Sequence, residues 1–150
     1  MGVRRRGGEA LLRWICLGFM TGVLLRASAV APAGGWERVA DLPQGNGGFA
    51  YGLVGNEVVI AGGTNWPTDV KLWIDEIWAY EPECNSWQPA GRLEKPVAYA
   101  AFDANAGGIW LAGGSGGADA HRYLWQVGPV GAAQRIAPLP VGAVYAGGAL

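Results

Sequence analysis

Cysteine is nearly absent from this 150-residue chain, which has Cys16 and Cys84 and no others. Histidine is rarer still, represented by His121 alone, and charged residues make up 15%. One histidine beside Asp119 falls short of the three or four ligands that a metal site usually needs. There is no P-loop, no dinucleotide fingerprint, no HExxH and no GxSxG, so no cofactor is expected. Cys84 lies in a turn with no histidine near it in sequence, which argues against thiol nucleophile chemistry. Long apolar runs are missing too. The uncharged stretch from Trp14 to Leu25 is bracketed by Arg13 and Arg26, shorter than the roughly 20 residues of a spanning helix.

That stretch follows the basic start Arg4, Arg5 and Arg6 and precedes the small residues Ala27-Ser28-Ala29. The pattern reads as a cleaved secretory signal over residues 1–29. It predicts export, periplasmic or extracellular, with no stable membrane anchor after cleavage. Lipid attachment at Cys16 is disfavoured, because Arg13-Trp14-Ile15 before it are not small. Without residues 1–29 the chain carries six basic and eleven acidic side chains, a formal charge of −5. No basic stripe offsets that charge, so nucleic acid is not an expected partner. Cys16 leaves with the leader, so Cys84 is expected to stand without an internal disulfide, and packing must hold the fold.

What the chain does have is glycine and tryptophan, 26 and 8 residues respectively. They recur in register. Trp36 returns as Trp87 after 51 residues, and Gly62-Gly63 returns as Gly113-Gly114 after the same 51. Before each diglycine stands a short apolar run, Val58-Val59-Ile60-Ala61 and Ile109-Trp110-Leu111-Ala112. Such runs, ended by Gly-Gly, read as strands covered on both faces. A further strand follows each, Ile77 to Tyr80 and Tyr123 to Val127, and Trp87 opens a closing strand after the Pro82–Asn85 turn. Leu/Pro turns precede the first strands: Asp41-Leu42-Pro43, Leu93 to Pro96, and Pro138-Leu139-Pro140.

A period near 50 residues with four strands per unit predicts an all-β, kelch-type β-propeller. The repeated tryptophan is expected to fill the gap between adjacent blades. The competing reading, a β-sandwich with chance Gly-Gly pairs, does not explain two landmarks with one spacing. The expected repeats run over residues 36–86 and 87–134, with a third beginning at 135–150, all within a domain of residues 30–150. In the third, Tyr145-Ala146-Gly147 aligns with the first strands at Phe49-Ala50-Tyr51 and Tyr99-Ala100-Ala101. The expectation is therefore an N-terminal fragment, two and a fraction blades of a six-bladed ring.

Several stretches resemble the sialic acid mutarotases, also called N-acetylneuraminate epimerases, in their cyclically permuted form. They are Leu42-Pro43 through Gly48-Phe49-Ala50, Ile60 to Asn65, Asp75-Glu76-Ile77, Trp87, Ala90 to Leu93, Ala98-Tyr99 and Leu111 to Gly114. Residues 36–127 look like the last two blades of that family and residues 135–150 like its beginning. The resemblance implies an isomerase that interconverts anomers of N-acetylneuraminate or a related sugar. It also implies that the family's catalytic Glu and Arg fall after residue 150, so no catalytic residue carries over. By that reading this stretch alone is inactive.

The binding candidates are Phe49, Asn65, Trp66, Tyr99 and Arg122. Phe49, Tyr99 and Tyr145 each precede an alanine at a first strand, where aromatics can stack on a sugar or pack a blade. Asn65 and Trp66 follow the first diglycine where Ser115 follows the second, and they are sugar-contacting types or ordinary loop residues. Arg122, near Asp119 and His121, offers a planar fork for a carboxylate or is a solvated charge. Asp75 and Glu76 are adjacent before a strand, where alternation points them to opposite faces. Two further readings remain: a kelch propeller that only binds carbohydrate or protein, and a copper radical oxidase. The lone His121 argues against the latter.

Overall fold

The computed structural model describes residues 35–149, and the expected leader over residues 1–29 lies outside them. Eight strands follow one another: β1 (Ala50–Val54), β2 (Glu57–Asn65), β3 (Leu72–Glu81), β4 (Ser86–Arg92), β5 (Ala101–Asn105), β6 (Gly108–Ala112), β7 (Tyr123–Val127) and β8 (Ala133–Pro138). They form two four-stranded antiparallel sheets, ordered β1-β2-β3-β4 and β5-β6-β7-β8. Each sheet is a meander in which every strand pairs with the next in sequence. The fold is all-β, and two such sheets stacked face to face make a partial β-propeller. Among the described residues no helix is long and apolar enough to cross a membrane.

The core lies between the sheets. Ala50, Val54, Val59, Ala61, Ile77 and Ala79 from the first sheet meet Ile109, Leu111, Trp125 and Val127 from the second. Leu93 and Val97, on the connection between the sheets, fill the same core. The Leu/Pro turn at Leu93 to Pro96 therefore delivers two apolar plugs as well as reversing the chain. In β1 the buried Ala50 and Val54 alternate with the exposed Tyr51 and Leu53. Leu53 and Val58 leave an apolar strip on the far side of the first sheet, while the exposed Tyr51 ring reaches Phe102 of the second sheet, centroids 5.0 Å apart. Strips of this kind mark packing faces.

The diglycines do more than turn the chain. Gly63 N–H donates to the Val97 carbonyl at 2.8 Å, and Gly114 N–H donates to the Ala143 carbonyl at 2.7 Å. Each diglycine thus docks on the backbone of the segment that follows its sheet. Gly62 and Gly113 sit against those same carbonyls with φ of 67° and 74°. The backbones approach this closely because glycine has no Cβ. The strand ending differs from expectation in the first sheet. β2 runs on through Gly62-Gly63 to Asn65 with a register shift between Ala61 and Gly63, because β3 is long enough to pair with the extension. β6 stops at Ala112, before its diglycine.

Three expectations are corrected. Trp87 does not fill the space between the sheets. It stacks on Tyr80 at 5.3 Å and donates Nε1–H to the Ala40 carbonyl at 3.1 Å, while Trp36 is exposed. The tryptophan buried between the sheets is Trp125, on an inner strand, where both faces are covered. Tyr145-Ala146-Gly147 forms no strand in the described structure. It docks on the second sheet's edge, with Tyr145 N–H on the Tyr99 carbonyl at 2.8 Å. Finally, Cys84 is not a free thiol in this structure, where the sequence without its leader predicted a lone cysteine.

Candidate functional site

The chain enters β1 and β5 at the same end of the two sheets, through a left-handed residue each time. Gly48, Tyr99 and Tyr145 have φ of 66°, 58° and 56°. Tyr99 N–H donates to the Gly48 carbonyl at 2.8 Å, and Tyr145 N–H donates to the Tyr99 carbonyl at 2.8 Å. These three residues are the equivalent positions, which shifts the expected Phe49–Tyr99–Tyr145 alignment by one residue. The left-handed kink sets the register, and an aromatic followed by alanine does not. Gly48 leaves open the space that the Tyr99 ring takes, since a Cβ there would lie 2.4 Å from Tyr99 Cε1. Phe49 turns to Tyr51, with ring centroids 6.2 Å apart.

Tyr99 reaches across to the first sheet. Lys71 Nζ donates to Tyr99 Oη at 3.0 Å, and Tyr99 Oη lies 3.2 Å from Thr64 Oγ1. The buried Thr64 hydroxyl donates to the Gly47 carbonyl at 3.3 Å. Tyr99 Oη accepts from Lys71, and either hydroxyl can donate in its contact with Thr64. Three rings surround the ammonium, with centroids at 4.1 Å for Trp73, 4.6 Å for Tyr99 and 5.2 Å for Trp66. Trp73 meets Tyr99 edge-on at 6.1 Å, and Tyr145 stacks on Tyr99 at 4.5 Å. Trp66 and Tyr145 stay open to solvent, 55% and 76% exposed.

The hydrogen bond from Lys71 and then that from Thr64 hold the Tyr99 phenol below its ordinary pKa of 10.0, against a smaller opposing effect of burial. Between that lowered value and 10.0 the unfolded chain binds more protons, so stability rises with pH across the interval. The effect is small because Tyr99 is only partly buried. Ultraviolet titration is expected to show one tyrosine ionising early, and Lys71→Met to return it to the ordinary range. A Tyr99 that titrates normally in the unaltered protein would mean the Lys71 contact does not form in solution.

Asn65 belongs to a second, adjoining network. Its Nδ2 donates to Gln44 Oε1 at 3.1 Å, Gln44 Nε2 to Glu76 Oε2 at 2.8 Å, and Trp78 Nε1 to the same oxygen at 3.2 Å. Asp75 is held by Arg92 through two bonds of 2.7 and 3.2 Å, which raise the Arg92 pKa above its ordinary value. Gln44, Asn65, Trp73, Asp75, Glu76 and Arg92 line an open cleft of about 170 Å³. Asp75 is thus committed to an ion pair.

The structure therefore gathers Asn65, Trp66 and Tyr99 at one end of the first sheet, with only Trp66 and Tyr99 on the ammonium. Arg122 is not brought to them, since its guanidinium goes to the Pro140 carbonyl. His121 Nε2 lies 2.9 Å from the Pro96 carbonyl and its ring meets Trp125 edge-on at 5.4 Å, a packing role. By the shared pairing with Gly47 and Ala98, the equivalent of Ser115 is Thr64 and not Asn65. Ser115 bonds within its own loop, to the Gly117 and Asp119 carbonyls. Lys71, Thr64 and Trp73 went unnoticed in sequence. The one hint was a lysine spaced closely between Trp66 and Trp73. Among the described residues no group of three or more His, Cys, Asp or Glu could hold a metal ion.

No protein-family profile matches the chain. Two curated relatives do, the N-acetylneuraminate epimerases of Brucella suis and Brucella melitensis biotype 1. Each is 32% identical over 103 aligned residues, covering 53% of this chain and 26% of the relative. The chain thus spans about a quarter of the length of the curated relatives it matches.

Proposed function

We propose that this chain is part of an exported kelch β-propeller that interconverts the anomers of N-acetylneuraminate or a related sugar. The similarity to the two Brucella epimerases carries the reading, and the paired four-stranded meanders support it. Anomer exchange moves a proton between the ring oxygen and the anomeric hydroxyl, which needs a positioned acid and base. In this reading the Glu and Arg implied by the resemblance supply them after residue 150. The described residues contribute the blade scaffold, in repeats over 36–86, 87–134 and onward from 135, and the aromatic ligand surface around Lys71. Residues 1–29 direct export to the periplasm or the outside and are removed.

The test is relaxation of freshly dissolved N-acetylneuraminate, followed by NMR with the full protein recovered from the exported fraction. The expected result is faster approach to the anomeric equilibrium, from a protein whose first residue is Val30. An unchanged relaxation rate would overturn the enzymatic reading. A second reading, a propeller that only binds sugar or protein, is supported by the exposed Trp66 and Tyr145 rings, which can hold a ligand without chemistry. Ligand binding with no rate enhancement would select it.

A further inference from the structure

Lys71 is a cation without a counter-charge in a chain rich in carboxylates. Residues 30–150 hold eleven acidic side chains against six basic ones. Arg38, Arg92 and Arg135 each pair with a carboxylate, and among the described residues Lys71 pairs with none. Even Asp69, two residues away, forms no ion pair with it. Its contacts are three ring faces and the Tyr99 hydroxyl. Ring faces attract an ammonium and fix its place, but they leave its charge uncompensated. An ammonium has three N–H donors, and the Tyr99 bond uses one of them.

The surroundings are arranged to hold this geometry. Tyr99 keeps a left-handed backbone at φ 58°, a conformation unfavourable for a residue with a Cβ. Thr64, fully buried, ties the phenol to the backbone of Gly47. Trp66 stands beside the ammonium with more than half its surface in water. The second sheet has no counterpart, because Ser115 turns into its own loop and Ala118 occupies the neighbouring loop.

We propose that Lys71 is the carboxylate anchor of a binding site for an acidic sugar, with Tyr99 as a second contact to the anion and Trp66 as the platform for the sugar ring. Taking the ligand to be a sugar rests on the mutarotase-like reading above; the demand for an anion rests on the geometry alone. The ammonium approaches the carboxylate with its free N–H groups. The phenol, rotated from Thr64, can donate to the same oxygen. The indole face covers the apolar C–H face of the ring. The site binds without forming or breaking a covalent bond.

Direct binding to the full protein tests this, read by tryptophan fluorescence and by saturation-transfer NMR. The probes are N-acetylneuraminate and the uncharged N-acetylmannosamine. The acid is expected to bind at least about tenfold more tightly, the ratio that corresponds to one half-buried ionic contact. Lys71→Gln should remove that preference, raising Kd for the acid about tenfold with little change for the neutral sugar, whereas Lys71→Arg should keep it. Unchanged melting of Lys71→Gln would show that the loss is not unfolding, and Thr64→Val, which releases the phenol, should weaken the acid by a smaller factor. Equal affinity for the two sugars, undiminished binding of the acid by Lys71→Gln, or no binding of the acid would each overturn the assignment. A protein that binds the acid through Lys71 but leaves mutarotation unaccelerated would sink the enzymatic reading alone. One that accelerates mutarotation with no dependence of binding on Lys71 would sink the anchor alone.

Discussion

Trp125→Ala is expected to destabilise the protein by about 3–5 kcal/mol, the range for truncating a fully buried aromatic. Trp125 is 1% exposed and lies in the cluster between the two sheets with Ile109, Leu111 and Val127. Its removal leaves a cavity that the strands cannot close, since each is pinned by its ladder on both sides. Its Nε1–H is buried with no acceptor, so Trp125→Phe should cost less than the loss of ring area alone suggests. Trp66→Ala, at a 55% exposed position, should change stability by no more than about 0.5 kcal/mol. Urea denaturation gives both values from the shift in midpoint at constant slope. Similar losses for Trp125→Ala and Trp66→Ala would show that the sheets do not pack as described.

Gly62→Ala should be nearly as damaging for a different reason. The added Cβ would lie 2.1 Å from the Val97 carbonyl oxygen, at a φ of 67°. The left-handed conformation costs about 1–2 kcal/mol and the overlap about 1–3 more. The neighbour cannot yield, because the Val97 carbonyl is the acceptor for Gly63 N–H. Gly113→Ala meets the Ala143 carbonyl at 2.3 Å with φ 74° and should behave alike. Gly55, also left-handed, has nothing within 4 Å of such a Cβ. Gly55→Ala therefore measures the conformational part alone and should cost about 1–2 kcal/mol. If Gly62→Ala costs no more than Gly55→Ala, the diglycine is a turn and not a docking point.

The strands around Val58–Ala61, Ile77–Tyr80, Ile109–Ala112 and Tyr123–Val127 were legible because continuous apolar runs between turns describe sheets covered on both sides. The role of the diglycine was legible only in part. Its need for glycine shows in sequence, but the carbonyls of Val97 and Ala143 that impose it are more than 25 residues away. The register at the strand entrances was misplaced by one residue. A repeated aromatic is a visible landmark, and a left-handed backbone shared by glycine and tyrosine is not.

The sequence by itself determined that the chain is all-β and that its landmarks recur every 51 residues. Those are properties of periodicity and composition, which need no long-range contact. Tertiary structure alone decided that, among the described tryptophans, Trp125 is the one buried between the sheets, and that Lys71 meets Tyr99 across 28 residues of chain. Which side chains share a site depends on how two sheets stack. In sequence, a lysine ringed by aromatics and one dissolved in a loop look the same.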